Sequence, residues 1–109
     1  MKAKGYGFVL TQTAENDIDL AFSYISETLG NPDAVSDLAD ELEEQIDKIC
    51  NYPKTGRLVE NDFLRRSDVR RALVKSYIIY YLIDDRNNNI VILRFVYSGR
   101  NQDEIINDL

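Results

Sequence analysis

The sequence has 109 residues, 44% apolar and 29% charged, the balance of a folded domain and too hydrophobic for a disordered chain. That length suits one compact domain over residues 1–109, with no room for a second. Histidine is absent and Cys50 is the only cysteine, which excludes an intrachain disulfide, cysteine–histidine metal clusters and every imidazole-based triad.

No apolar run nears the ~20 residues that cross a bilayer, and the opening MKAKGYGFVL lacks the pattern of a signal peptide. Cytoplasmic residence without membrane contact is the expectation. The net charge of −6 is unevenly spread: residues 1–51 carry −8, residues 52–100 carry +5 and the last nine carry −3. A local basic region can therefore meet a polyanion although the whole chain is acidic.

In chain order, Gly7 to Thr11 is a short β-branched and aromatic run and predicts a strand. From Thr13 the period changes. Ala14, Ile18, Ala21, Phe22, Ile25 and Leu29 fall on one helix face, with Thr13 as the expected cap and Gly30 as the left-handed stop. Asn31-Pro32 starts a second helix, with Val35, Leu38, Leu42, Ile46 and Ile49 as its buried stripe and acidic residues over its solvated side. So short a connection makes the two helices an antiparallel hairpin.

Residues 51–69 hold Pro53 and Gly56 and predict the main loop. Strands then follow over 71–75, 77–84 and 90–97, joined by hairpins at Lys75-Ser76 and Asp85–Asn89. On the last of these, alternation puts Ile90, Ile92, Arg94 and Val96 on one face and Val91, Leu93, Phe95 and Tyr97 on the other. Both faces are apolar and two helices cover only one, so a second copy or a bound peptide is expected on the other. Residues after Ser98 form at most a marginal terminal helix. The order β-α-α-β-β-β predicts an α+β fold, a two-helix N-terminal hairpin packed on an antiparallel sheet.

Three stretches carry a resemblance. Arg70 to Asp84, RRALVKSYIIYYLID, is similar to a family pattern Y-R-x-L-x-V-x-x-Y-R-I-x-Y-x-I-D, with Val69 at its first tyrosine and Ile78 at its second arginine. Ile92 to Asn101, ILRFVYSGRN, is similar to V-L-R-V-x-H-x-x-R-D, with Tyr97 at the histidine, and Tyr52-Pro53-x-x-Gly56 matches a turn F-P-x-x-G. In this order around a helical hairpin they resemble the RelE/ParE superfamily of toxins from bacterial type II toxin–antitoxin operons.

The resemblance implies a toxin held inactive by a cognate antitoxin whose C-terminal segment packs on it, with no cofactor. RelE-like members cleave mRNA on the ribosome and ParE-like members inhibit DNA gyrase. Cleavage requires an activated 2′-hydroxyl, a stabilised phosphorane and a protonated leaving oxygen. Arg70 and Arg100 would hold phosphate and Tyr97 would serve as acid or base. Lys54, Arg57, Arg65, Arg66 and Lys75 would add non-specific backbone contacts. Ile78 in place of the catalytic arginine favours gyrase over the ribosome and mRNA as target; a toxin-derived stabilisation domain without activity is a third reading.

Overall fold

The first helix begins two residues earlier than expected, because Thr11 rather than Thr13 is held in place at both ends of its hydroxyl. Its Oγ1 accepts from the Ala14 amide at 3.1 Å and donates to the Leu93 carbonyl at 3.0 Å, tying the helix start to the sheet. The computed structural model describes residues 5–109. In it β1 (Gly7–Leu10) leads into α1 (Gln12–Ser23), then a π-helical turn over Tyr24–Thr28 and α2 (Pro32–Asn51). A 3₁₀ turn at Pro53–Thr55 and a two-residue β2 (Arg57–Leu58) precede β3 (Val69–Val74), β4 (Tyr77–Asp84), β5 (Asn89–Tyr97) and α3 (Gln102–Asn107).

The two helix boundaries between α1 and α2 follow the sequence signals. Gly30 takes φ +59, the left-handed stop, and the Asn31 side chain accepts from the Ala34 amide at 3.1 Å with Pro32 at the first helical position. The π turn, closed by the Leu29 amide on the Tyr24 carbonyl at 3.1 Å, swings Leu29 out of the apolar stripe to 57% exposure.

The sheet order is β1-β5-β4-β3-β2. β5, β4 and β3 run as the expected antiparallel meander, β2 extends it beside β3, and β1 adds to it in parallel beside β5, Gly7 opposite Asn89 through Leu10 opposite Ile92. The expected loop thus contains a strand, β2, and β3 starts at Val69 rather than Arg71. Lys75 supplies the positive φ of +53 that the two-residue β3–β4 turn requires.

Alternation along β5 is broken. Tyr80 lies opposite Arg94 and Tyr81 opposite Ile92, so Leu93 is an extra residue in a bulge. Phe95 consequently joins Ile90 and Ile92 in the core beneath α1 and α2, together with Ile79, Tyr81 and Val74. Ala14 and Ala21 are the buried residues of α1, small enough to bring its backbone close to β5.

The opposite sheet face is covered by the chain itself. Ile105 and Ile106 of α3, with Val59 and Leu64 from the loop, bury Val69, Ile78, Tyr80 and Val96 in a second cluster. The expectation of a second copy or peptide on that face is therefore corrected: a six-residue helix suffices because Asn101 caps it and the Tyr80 hydroxyl donates to Gln102 at 2.7 Å. Among the described residues no helix is long and apolar enough to cross a membrane.

Candidate functional site

Where β1 ends, a side chain takes its place along β5. Asp17 of α1 accepts from the Phe95 amide at 3.0 Å and from the Arg94 guanidinium at 2.7 and 3.1 Å, a two-pronged pair with both side chains largely buried. Beside this pair opens a cleft of about 640 Å³ between α1, the π turn and the ends of β4 and β5. Leu20, Tyr24, Leu29, Tyr77, Tyr97 and Arg100 line it. Tyr77 stacks on Phe95 with centroids 4.7 Å apart and meets Tyr97 edge-on at 5.9 Å, which gives the cleft a rigid aromatic wall.

Tyr97 and Arg100, both expected at a site, thus share one cleft. Arg70 does not reach it. It lies on β3 opposite Tyr81, whereas Tyr97 lies opposite Tyr77, and the four residue steps between those β4 positions span roughly 14 Å.

The Arg70 guanidinium has other work: it donates to the Gly56 carbonyl at 2.7 Å. Its neighbour Tyr81 donates to the Pro53 carbonyl at 2.7 Å and accepts from the Gly56 amide at 3.0 Å. Together they clamp the Tyr52-Pro53-x-x-Gly56 turn. A Cβ on Gly56 would sit against the Tyr81 hydroxyl and 2.7 Å from the Arg71 carbonyl, so the turn needs glycine for close approach rather than for its φ.

The remaining basic residues do not converge. Lys54 is in the 3₁₀ turn and Arg57 on β2, at one sheet edge. Arg65 is in the following loop, and Arg66 pairs with Asp68 at 2.6 Å, which pushes its own pKa up and that of Asp68 down. Lys75 is at the far end of β3.

Burial pushes the Tyr77, Tyr80 and Tyr81 hydroxyls above the ordinary phenol range, so all three stay protonated near neutral pH, and Tyr80 and Tyr81 act as donors. Burial likewise pushes up the Cys50 thiol, with the Asp47 charge adding to it, which removes thiolate chemistry there. Sequence reasoning missed Arg71, which strand register sets directly opposite Arg57. It also missed the exposed Leu20 and Tyr24 rim, since both residues lie off the apolar stripe that the helical period marks.

The family described as ParE toxin of the type II toxin–antitoxin system, parDE, matches residues 8–102, and the chain belongs to that family. It is a toxin of the ParE/RelE type. No curated protein matches it by sequence.

Among solved structures the fold is similar to a chain of the chromosomal ParDE system from P. aeruginosa. The TM-score is 0.67 at 15% identity, over 89% of this chain and 100% of that one. It is also similar to one of the RelBE2 toxin–antitoxin complex from Mycobacterium tuberculosis, with TM-score 0.61, 21% identity and coverage of 85% and 98%. A third is the archaeal RelE-RelB complex from Pyrococcus horikoshii OT3, with TM-score 0.56, 16% identity and coverage of 89% and 99%.

Proposed function

We propose that this toxin arrests growth in the cytoplasm by binding a protein target such as DNA gyrase, and that a cognate antitoxin holds it inactive. The observation that carries the gyrase reading is Ile78. Where the RelE-like pattern has a catalytic arginine, this residue is 2% exposed and buried in the cluster with Val96, Ile105 and Ile106. A cation at that position would lose its hydration with no carboxylate in the cluster to replace it.

The antitoxin partner is supported by the family and by the toxin–antitoxin complexes that share the fold. With α3 on the second sheet face, the aromatic cleft at Leu20, Tyr24 and Tyr97 is one apolar surface open to an antitoxin segment.

Pulse induction without antitoxin tests the target. Thymidine incorporation is expected to fall before amino-acid incorporation, and the reverse order overturns the gyrase reading. Co-expression with the protein encoded by an adjacent antitoxin gene is expected to restore growth and to yield a complex that co-purifies.

A second reading, ribosome-dependent mRNA cleavage, draws on Tyr97 and Arg100 lying together in the cleft. It requires that Arg100→Ala abolish mRNA cutting while the protein stays folded.

A further inference from the structure

Strand register builds a transverse row across the sheet that no spacing in the sequence announces: Arg57 on β2, Arg71 on β3, Tyr80 on β4 and Arg94 on β5 are successive cross-strand partners. Arg94 is neutralised by Asp17. Arg57 and Arg71 are not: among the described residues neither guanidinium has a carboxylate within 4.0 Å. Like charges directly opposite one another in a sheet are destabilising. The chain keeps two here although 19 acidic residues were available to pair them.

The two arginines border a cleft of about 460 Å³ with Leu58, Val59, Glu60 and Ile106. Its floor is rigid. Val59 is held by its amide on the Val69 carbonyl at 2.8 Å, and Ile106 is 4% exposed within the second cluster.

We propose that Arg57 and Arg71 form an anion site that takes a phosphate group, carried by a nucleic-acid strand or by a free phosphate or nucleotide. Two planar guanidinium forks on facing strand positions at one cleft match a tetrahedral anion with several acceptor oxygens better than a single carboxylate. Glu60, already on the cleft wall, has not closed on either arginine. A bound dianion removes the Arg57–Arg71 repulsion, so occupancy and stability are linked. The inference stands on register and charge and is independent of whether gyrase or the ribosome is the target.

The test is an NMR titration of the full chain with inorganic phosphate at constant ionic strength, reading the arginine Nε–Hε signals. Saturable shifts of Arg57 and Arg71 together, with Arg65, Arg86 and Arg100 unmoved, are expected; equal shifts without saturation at all five overturn the site. Melting curves give a second readout.

Phosphate steadies any fold by exclusion, so the quantity of interest is the difference between wild type and an Arg57→Gln/Arg71→Gln variant. At about five times Kd the wild type is expected to gain roughly 4–8 °C more in Tm, and equal gains overturn the site. Should the double variant fail to fold, the wild-type titration alone decides.

Uridine monophosphate against a short single-stranded RNA then separates the sources. Tighter, strongly salt-dependent RNA binding through the same two signals points to a strand, and equal binding to a free phosphate. An aspartate-rich peptide that moves those signals when phosphate does not overturns the phosphate assignment.

Discussion

Arg70 and Arg100 look alike as residues and differ in what the fold asks of them. Arg70 holds the Gly56 carbonyl from a half-buried position, so Arg70→Ala is expected to destabilise by about 1.5–3 kcal/mol in a urea titration. Arg100 is exposed at the cleft rim, and Arg100→Ala is expected to change stability by no more than about 0.5 kcal/mol.

Asp17 is the most consequential single carboxylate, because one side chain satisfies a β5 amide and a buried guanidinium. Asp17→Asn leaves Arg94 without its counter-charge and is expected to cost about 3–5 kcal/mol, read as a lower urea midpoint at unchanged slope. The pairing partners of both arginines were beyond sequence reading. Arg94 and Asp17 are 77 positions apart, and the turn that Arg70 holds is defined only once Tyr81 is beneath it.

At the scale of elements, the outcome turned on α3. Six residues with two isoleucines read as a marginal helix, since an isolated helix of that length does not form in water. It forms because Ile105 and Ile106 are 3% and 4% exposed against β3, β4 and β5. Ile106→Ala is expected to cost about 2–5 kcal/mol. Ending the chain at Asn101 is expected to expose Val69, Ile78 and Val96 and to raise binding of an apolar dye, checked by fluorescence alongside circular dichroism.

α2 was legible almost residue by residue and α1 to within two residues at its start, because capping and apolar period are local properties; the π turn that follows α1 leaves no such mark. β2 was not: a two-residue strand has no period, and the pairing of Arg57 with Arg71 and Leu58 with Arg70 alone defines it.

For the whole molecule, buried phenols set the alkaline limit. Tyr81 lies in the core beneath the helices, Tyr80 in the cluster under α3 and Tyr77 at the cleft, and burial raises all three above their unfolded value near 10. Their contribution is fully present below that unfolded value and is lost as pH rises through the folded ones. Alkaline unfolding with a delayed phenolate absorbance is expected, and normal titration of all seven tyrosines while the fold is intact would contradict it.

By itself the sequence determined the α+β class, the helical hairpin with its Gly30 stop and Asn31 cap, the meander and the family resemblance, since these rest on local periods, turn residues and short patterns. The tertiary structure alone decided the parallel docking of β1 on β5, the bulge at Leu93, the covering of the second sheet face and the separation of Arg70 from Tyr97 and Arg100. Each of these depends on which strands lie side by side and in what register, and pairing between segments up to 82 residues apart leaves no mark within either segment.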